Sequence, residues 1–594
     1  MFFLSPFPFA RGRVGDEVVC DIIIKMDGKE KITYFAETDA RNKRVKFGIK
    51  DDDRLRHVYS IGKTGMGKST MLENMAIQDI QNGNGLAFLD PHGKTADLLL
   101  DYIPEHRIKD VVYFAPFDTG FPISFNVMED VEPDRRHLVV SGLMSAFEKI
   151  WVDAWSARMA YILQNTLAAL LEYPGATMLG INRMLSDKSY RQKVVDNISD
   201  PTVKSFWVDE FAKYTDRYAQ EATPAIQNKV GQFTSNPLIR NIIGQPKSSF
   251  DIRKIMDEKK ILIVNLSKGL VGENNANLLG SMIVTKIYLA AMSRADADPK
   301  ELKKLPNFYL YVDEFQSFAN KSFADILSEA RKYKLSLNIT HQYIEQMAEE
   351  VRAAVFGNVG TMIAFRVGSF DAEVLEKEFA PVFTMEDIVN LGFVQIYLKL
   401  MIDGVASQPF SATTLPPIPK PEASFREKVM EMSRRNYARS KEEVEKEIKE
   451  WHEPERSEIR STKYEARKEQ KPEQKREEIK KEVKYEQPKF EQPKPKINIE
   501  EKKPEKSNVL AGAIADAMKA KSVVSSQQPV VREKQEEVKK ATVSLNELKH
   551  DNKNKNKEPS PENINALKEA LEKVNRSQVK EVPEETLRKI LKGE

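Results

Sequence analysis

The chain has 594 residues and a formal net charge of +3, and 30% of its residues are charged. Cys20 is the single cysteine, which excludes an intrachain disulfide and a cysteine metal cluster and fits a reducing cytoplasm. Residues 1–418 carry 49 Lys and Arg against 53 Asp and Glu, which excludes a broadly basic nucleic-acid coat. Any contact with nucleic acid must therefore come from a local patch or from the lining of a pore.

Residues 1–50 are predicted to form a small β-rich N-terminal domain, because VVCDIII and KITYFAE flank the turn-like MDGKE. The opening MFFLSPFPFA is apolar but has two prolines and no basic start, so it is a poor signal peptide. A surface strand is favoured there over a membrane contact. No run of about 18 apolar residues occurs, so no transmembrane helix is predicted. The longest near-candidate, Asn277–Ser293, is interrupted by Lys286 and is interpreted as a core helix.

The first part of a nucleotide-binding core is predicted over residues 51–132. It contains IGKTGMGKST, which matches G-x-x-x-x-G-K-[ST] between the strand-like HVYSI and the helical STMLENMAIQDI. Glycines there let backbone N–H groups surround a phosphate chain. Lys68 is expected to reach the β- and γ-phosphates and the Ser69 hydroxyl to hold Mg²⁺, so the predicted cofactors are ATP and Mg²⁺. The predicted nucleotide-binding residues are Gly62, Lys63, Thr64, Gly65, Met66, Gly67, Lys68, Ser69 and Thr70.

Residues 133–245 are predicted to form an all-α insertion, in which six large apolar residues recur every fourth position and so share one helix face. They are Trp151, Trp155, Met159, Leu163, Leu167 and Leu171. The core is predicted to resume over residues 246–418 with the strands ILIVNL, FYLYVDEF, LSLNIT and TMIAF. Apolar strands that alternate with helices indicate an α/β fold with a mainly parallel sheet.

Two segments compete to supply the carboxylate that completes a magnesium site. LAFLD ends in Asp90, whereas LYVDE contains Asp313 followed by Glu314. We favour the second segment because adjacent acids at a strand tip serve both needs, with Asp313 holding magnesium through water and Glu314 activating the attacking water. Asp90 is interpreted either as a turn former before Pro91 or as a residue that supports the site.

The strand LSLNIT is followed by His341 and Gln342. If it lies between the strand before Lys68 and the strand before Asp313, Gln342 projects toward the γ-phosphate and its amide could sense bound nucleotide. His341 is either a strand-end polar residue or a functional one. Arg331 either caps the dipole of its helix or reaches the nucleotide of a neighbouring subunit, where an arginine stabilises transition-state charge.

Residues 419–594 are predicted to form a charged, mostly disordered tail with short helices. The segment carries 43 Lys and Arg and 36 Asp and Glu and cannot bury enough apolar surface to fold as a whole. The stretches predicted as helical are Lys441–Trp451, Asn508–Lys521 and Glu562–Lys592. In the first of them Val444, Ile448 and Trp451 share a face. A solvated linker and a docking tail are both compatible with this composition.

With these residues in place, the chain resembles the ring-forming FtsK/HerA-type motor ATPases, and among them the type IV secretion coupling proteins of the TraG/TraD kind. The resemblance covers about residues 50–415. Its markers are HVYSIGKTGMGKST, FLDPHG, SFNVM, NLSKG with LLGSM, LYVDEFQSF and SEARKYKLSLNITHQ. The helical insertion matches the position of the all-α domain in these proteins.

The resemblance implies a RecA-like P-loop core that forms a homo-hexamer around a channel and pumps DNA with ATP. It assigns roles to residues already singled out: phosphate and magnesium to Lys68 and Ser69, the acidic pair to Asp313 and Glu314, the sensor to Gln342 and the arginine finger to Arg331. It also implies that the all-α domain helps to recognise DNA or the relaxosome.

Coupling proteins typically begin with transmembrane helices, which are not predicted here. We therefore expect either a soluble relative or a cytoplasmic protein that is peripheral at the inner face of the cell membrane, docked on a separate membrane partner. The expected partners are DNA, further copies of the chain, and relaxosome or secretion-channel proteins. The leading hypothesis is an ATP-driven DNA translocase in conjugative or type IV secretion-like transfer. The alternatives are a secretion ATPase that moves protein, which would share the ATP site, and a nucleotide-gated cargo adaptor, against which Glu314 argues.

Overall fold

The fold is that of a computed structural model, which describes residues 31–39, 43–215, 217–218, 222–319 and 323–452. Several expectations fall outside these residues. They are the opening MFFLSPFPFA, the strand-like VVCDIII, the disorder of residues 453–594, and the helices at Asn508–Lys521 and Glu562–Lys592.

The described residues contain strands that almost all join one sheet. The strands are β1 (Ile32–Thr38), β2 (Lys46–Lys50), β3 (Val58–Ile61), β4 (Gly85–Asp90), β5 (Val111–Phe114), β6 (Ile261–Asn265), β7 (Phe308–Val312), β8 (Leu335–His341), β9 (Thr361–Ala364), β10 (Gln395–Lys399), β11 (Met401–Ile402), β12 (Val405–Ala406) and β13 (Phe410–Thr414). The sheet order within the described part is β2-β1-β13-β10-β9-β3-β8-β7-β4-β6-β5, and β11 and β12 pair separately. Neighbours from β9 to β5 are parallel. Strands β10, β13, β1 and β2 add to the sheet in antiparallel fashion. The predicted mainly parallel α/β sheet is confirmed.

The central parallel strands are buried on both faces. Every residue of β3, β4, β7 and β8 is buried. This explains why β3, β4 and β7 are nearly continuous in apolar residues, whereas β8 alternates apolar residues with buried polar ones. The α-helices of the core are Asp51–Arg54, Lys68–Gln81, Lys94–Asp101, Ile252–Asp257, Lys268–Val271, Glu273–Met292, Pro299–Lys304, Phe323–Glu329, Glu349–Asn358, Ser369–Phe379 and Met385–Val389. Because parallel strands end at the same edge of a sheet, the polar residues that follow β3, β8, β7 and β4 are gathered there.

A helical insertion lies between β5 and β6, as predicted. Its α-helices are Arg136–Ile150, Ala157–Glu172, Gly180–Ser186, Lys188–Asn197, Pro201–Ser205, Pro224–Thr234 and Pro237–Ile243. The predicted single helix face is partly wrong. The four residues from Met159 to Leu171 lie on one helix and are buried, but Trp151 and Trp155 precede it. The reason is Ser156, whose Oγ accepts a hydrogen bond from the Met159 N–H at 3.2 Å and starts a new helix.

Hydrogen bonds join the two ends of the insertion beside β5. Asn126 Nδ2 donates to the carbonyls of Ala176 at 2.9 Å and Pro246 at 2.8 Å. Ser124 Oγ donates to the Lys247 carbonyl at 2.6 Å. The SFNVM run therefore closes the insertion where the chain leaves the core and returns to it.

The N-terminal strands β1 and β2 extend the core sheet rather than form a sheet of their own. Strand β1 pairs with β13, with Ala36 opposite Thr414, and β2 pairs with β1. The backbone N–H of Tyr34 donates to Gln78 Oε1 at 3.0 Å, which ties β1 to the helix Lys68–Gln81. The described part of residues 1–50 thus belongs to the core sheet, since β1 pairs with the edge of β13 that would otherwise be open. The division of the chain into domains stays a prediction.

The packed part of the chain continues beyond residue 418, where the tail was expected to begin. Helix Arg426–Tyr437 packs against β5. Helix Lys441–His452 follows it and buries Val444 and Ile448 against Leu179 of the insertion. The apolar face predicted from these residues is confirmed. It holds the helix against the insertion because Val444 and Ile448 pack on the apolar side chain of Leu179.

The long helix Glu273–Met292 is a core helix. The stretch Glu273–Asp296 has the length and hydropathy of a membrane span, and 72% of its most apolar window is buried inside the protein. It packs along helix Arg136–Ile150. Lys286 Nζ donates to the Glu129 carbonyl at 2.8 Å. The interpretation of this stretch as a core helix agrees with its burial.

Candidate nucleotide site

The phosphate-binding loop connects β3 to helix Lys68–Gln81. Gly65 and Gly67 have φ angles of +80° and +110°, a left-handed conformation that strains residues with a side chain. Gly67 gives the helix no side-chain cap, so the first N–H groups of the helix are able to bind an anion. Lys68 Nζ donates to the carbonyls of Gly62 at 2.5 Å and Lys63 at 3.1 Å. Burial lowers the pKa of Lys68, and a bound triphosphate would offset that effect.

The acidic pair follows β7 at the same edge. Asp313 is 4% exposed, and its Oδ2 accepts a hydrogen bond from Ser69 Oγ at 2.9 Å. Its Oδ1 accepts another from Thr340 Oγ1 at 2.5 Å. Glu314 has a φ of +47°, which is uncommon for a residue other than glycine and is often found at functional sites. The chain reverses at Glu314 so that both carboxylates face the phosphate loop.

The residues around Ser69 fit a magnesium ion that accompanies a nucleotide. Ser69 Oγ and Asp313 Oδ2 are hydrogen-bonding partners, so both oxygens face the same space beside the phosphate loop. Hydroxyl, carboxylate and phosphate oxygens are the ligands that Mg²⁺ prefers, with water completing the shell. The donor set therefore matches the prediction that these two residues hold the metal of an Mg·ATP complex.

Gln342 joins the phosphate loop to Glu314. Strand β8 lies between β3 and β7, which is the arrangement required for Gln342 to point into the site. Gln342 Nε2 donates to Glu314 Oε1, and Thr64 Oγ1 donates to Gln342 Oε1 at 3.2 Å. His341 is instead fully buried, and burial lowers its pKa to about 3. Its Nδ1 lies 3.3 Å from the Tyr59 hydroxyl, so His341 is a neutral core residue.

Sequence reasoning missed His92, which follows β4. Its Nε2 lies 2.9 Å from Glu314 Oε1. The hydrogen bond with Glu314 raises the pKa of His92, and the same contact is the main reason that the pKa of Glu314 is lowered. Asp90 Oδ1 accepts from the His92 N–H at 2.8 Å and Asp90 Oδ2 from the Ala96 N–H at 2.9 Å. Asp90 thus shapes the turn that presents His92. In the sequence His92 was visible only as part of DPHG. It becomes part of the site because β4 is next to β7, which brings His92 to Glu314.

These groups line one cavity of about 270 Å³. The lining residues are Thr64, Gly65, Gly67, Lys68, Ser69, Thr70, His92, Asp313, Glu314, Gln342 and Phe393. Gly62, Lys63 and Met66 belong to the same loop but do not line the cavity. A larger cavity of about 660 Å³, which Glu129, Lys286 and Tyr437 help to line, lies beside the base of the insertion. The chemistry of a nucleotide site converges on the smaller cavity, which we therefore take as the candidate site.

A family model described as "Type IV secretory system Conjugative DNA transfer" matches residues 20–355. The chain belongs to this family. The matched range includes the phosphate loop, His92, the acidic pair and Gln342, so it covers every lining residue of the candidate site except Phe393. No curated protein matches the sequence.

Solved structures of two coupling-protein forms and of VirB4 are similar to this member of the conjugative DNA transfer family. The bacterial conjugative coupling protein TrwBdeltaN70, in a trigonal form in complex with sulphate, aligns with a TM-score of 0.50 at 16% identity over 71% of this chain and 98% of that chain. The plasmid coupling protein TrwB in complex with ADP and Mg²⁺ aligns with a TM-score of 0.48 at 15% identity over 67% and 98%. VirB4 of Thermoanaerobacter pseudethanolicus aligns with a TM-score of 0.43 at 13% identity over 68% and 99%. The first of these likenesses confirms the expected RecA-like P-loop fold.

Arg331 lies far from the site that its own chain forms. It is an exposed residue in the turn Ala330–Tyr333, which precedes β8. Gln342 directly follows the other end of β8, and seven strand residues span about 20 Å. Burial lowers the pKa of His57, which directly precedes β3, and the nearby positive charge of Arg331 adds to that effect. Arg331 is therefore at the opposite edge of the sheet, where it does not reach the nucleotide of its own subunit.

The insertion contacts the loop that follows the acidic pair, a connection that sequence reasoning missed. Lys149, at the end of helix Arg136–Ile150, donates from Nζ to the carbonyls of Gln316 and Ala319, the latter at 2.6 Å. Burial lowers the pKa of Lys149 to about 8. Gln316 is two residues from Glu314. Lys149 therefore ties the end of this helix to the loop beside the candidate catalytic carboxylate.

Proposed function

We propose that this protein is an ATP-driven DNA translocase of the coupling-protein kind, which pumps DNA in conjugative or type IV secretion-like transfer. The observation that carries the proposal is the convergence of Lys68, Ser69, Asp313 and Glu314 on one cavity, in a chain of the conjugative DNA transfer family. A nucleotide-gated adaptor would have no use for a carboxylate in the position of Glu314. The cofactors in this proposal are ATP and Mg²⁺.

In this proposal Lys68 and the phosphate loop bind the triphosphate. The Lys68 ammonium leaves the carbonyls of Gly62 and Lys63 and contacts the β- and γ-phosphates. Ser69 and, through water, Asp313 would hold the magnesium ion, which would neutralise phosphate charge and help to orient the γ-phosphoryl group. Thr340 fixes the Asp313 carboxylate by donating to its Oδ1.

Glu314 then accepts a proton from the attacking water. His92, and more weakly Lys268 and Lys68, lower the pKa of Glu314, so its carboxylate is ionised at neutral pH, as a general base must be. Gln342 donates to the same carboxylate and contacts Thr64. Gln342 is thereby placed to change the position of Glu314 when the phosphate loop closes on nucleotide, which is the sensor function predicted for it.

We further propose that Arg331 acts on the nucleotide of a neighbouring subunit in a homo-hexamer. Its distance from its own site is what an arginine supplied in trans requires. The all-α insertion would contact DNA or the relaxosome, and Lys149 would relay that contact to the loop after Glu314. Other proposed partners are secretion-channel proteins and a membrane partner, which would hold the protein at the inner face of the cell membrane. The membership in a type IV secretion family supports this placement.

The proposal is tested by measuring ATP hydrolysis of the full chain with single-stranded DNA, with double-stranded DNA and without DNA, beside Lys68→Ala. We expect DNA to stimulate hydrolysis and Lys68→Ala to abolish it. Hydrolysis that is insensitive to both forms of DNA would favour transport of protein instead. Nucleotide binding without hydrolysis under any of these conditions would favour the adaptor.

A further inference from the structure

An exposed phenylalanine at the mouth of the nucleotide cavity has no role in the scheme above. Phe393 is 68% exposed and yet lines the cavity together with Gly67, Lys68 and Thr70. Large aromatic side chains are usually buried, and one that projects into a ligand cavity is available to contact the ligand. What distinguishes Phe393 from other exposed apolar residues such as Phe370 is its place in the lining of the nucleotide cavity.

The sheet topology places Phe393 at the correct edge. It lies just before β10, which runs antiparallel to β9 with Tyr397 opposite Ala364. The beginning of β10 therefore lies where β9 and β3 end, which is the edge that carries the phosphate loop. A Cβ added to Gly67 would lie 3.2 Å from Val394 Cγ1, so the segment of Phe393 is packed directly against the phosphate loop.

Phe393 is on the opposite side of the phosphate loop from the acidic pair. The sheet order β10-β9-β3-β8-β7-β4 puts β10 on one side of β3, and the strands of Gln342, Glu314 and His92 on the other. With Glu314 as the base of the proposed function, the γ-phosphate of a bound triphosphate would face Glu314. The nucleoside, at the other end of the phosphate chain, would then extend toward the side on which β10 begins, about 10 Å from β3 at two strand spacings.

The backbone around Phe393 is held in an unusual conformation. Val394 is a β-branched residue with a φ of +56°, which is a genuine outlier for such a residue. Its carbonyl accepts the Thr414 N–H at 2.9 Å, and Gln395 Oε1 accepts the Gly392 N–H at 2.8 Å. These bonds on both sides fix the turn that presents Phe393 to the cavity.

We propose that Phe393 is the nucleobase platform of this site and stacks on the purine ring of the bound nucleotide. The inference deepens the proposed function, since it rests on the cavity being a nucleotide site. An aromatic ring recognises a base through its π-face, whichever groups the base edge carries. Stacking on Phe393 should therefore raise the affinity for adenine and guanine nucleotides alike. It should raise the affinity for pyrimidine nucleotides less, because their rings offer a smaller face.

The test is calorimetric titration of the full chain with ADP, GDP, UDP and inorganic tripolyphosphate, which has no base. Aromatic-to-alanine changes at stacked bases are worth about 5- to 150-fold in affinity. We expect Phe393→Ala to weaken the binding of ADP and GDP by such a factor, to weaken the binding of UDP less, and to leave the binding of tripolyphosphate unchanged. Phe393→Trp should retain ADP affinity, whereas Phe393→Leu, which keeps an apolar side chain without a π-face, should not.

Two controls separate the possible failures. Phe370→Ala removes a phenylalanine that is 72% exposed and outside the cavity lining, and it should not affect binding of any ligand. Thermal unfolding without ligand should be the same for Phe393→Ala and the wild type. Equal ADP affinity in Phe393→Ala and the wild type would overturn the inference and leave the nucleotide site intact. A wild type that binds neither ADP nor tripolyphosphate would instead overturn the proposed function, and the inference with it.

Discussion

The substitution Glu314→Gln separates the chemistry of this site from nucleotide binding. Glutamine has nearly the same shape as glutamate but cannot accept a proton from water. The side chain of Glu314 is 15% exposed and contacts His92 at 2.9 Å, whereas Lys68 and Ser69 hydrogen-bond elsewhere. The contacts expected to hold the phosphates therefore stay in place in the variant.

The size of the effect follows from the role of a general base. Such a group typically contributes 10²- to 10⁴-fold, which is about 2.7–5.5 kcal/mol of the activation free energy. We expect kcat for ATP to fall by this factor, with ATP affinity unchanged or slightly higher because a negative charge near the γ-phosphate is removed. Stability should change little, by less than about 1 kcal/mol, because the weakened contact is with His92, which is 55% exposed, and the amide oxygen of the new glutamine can still accept the hydrogen bond of Gln342 Nε2.

Steady-state hydrolysis with saturating ATP and DNA, followed by a single-turnover measurement, checks this prediction. Single turnover is needed because product release limits many ATPases and would hide a slower chemical step. The matched control is Glu450→Gln, at a carboxylate that is 67% exposed and forms an ion pair with Lys446 on the same helix. A kcat of Glu314→Gln within about tenfold of the wild type would refute the assignment of Glu314 as the base, since that is below the range for general bases. Loss of ATP binding would refute the separation of chemistry from binding.

Three further predictions address binding, assembly and pH. Lys68→Ala should weaken ATP binding and abolish hydrolysis without unfolding the chain, which titration with ATP and circular dichroism would check; retained hydrolysis would contradict the phosphate-loop assignment. Arg331→Ala should lower kcat about 10³-fold or more while ATP still binds. Mixing this variant with Glu314→Gln should restore activity, because some subunit interfaces then combine an intact Arg331 with an intact Glu314. No recovery of hydrolysis in mixed assemblies would argue against action in trans. Burial lowers the pKa of His57 to about 4, so as the pH falls from 6.5 toward 4 the unfolded state takes up a proton that the native state refuses. His57 should therefore contribute a drop of roughly 2 kcal/mol to the free energy of unfolding at pH 5, beside the drop that buried His341 contributes in the same way. Denaturant unfolding at pH 7 and 5 should show a smaller drop in His57→Gln than in the wild type, and an unchanged drop in a variant of the exposed His106.

Much of the nucleotide site was predictable because its residues follow one another along the chain. IGKTGMGKST requires a strand before it and a helix after it, and β3 and Lys68–Gln81 provide them. Asp313 and Glu314 end a buried strand, and Asp313 contacts Ser69 as a shared magnesium site requires. The assignments of Glu314, Gln342 and Arg331 to catalysis remain predictions until hydrolysis is measured.

The expectations that failed depended on where segments separated in sequence come together. The helix face through Trp151 and Trp155 was interrupted because Ser156 caps a new helix. Residues 426–452 were assigned to the tail by their charge, but Val444 and Ile448 pack on the insertion. The average composition of a segment predicts disorder even where a few of its apolar residues pack against another part of the chain.

The sequence by itself determined the class of this protein, since the phosphate loop, the acidic pair and the alternation of strands and helices are local patterns that short-range geometry imposes. The tertiary structure alone decided the order of the strands. That order brings His92, which follows β4, to Glu314, which follows β7. It also sets Gln342 between them and the phosphate loop and places Phe393 on the far side. Strand order arises from hydrogen bonds and packing between segments hundreds of residues apart, so no local pattern records it.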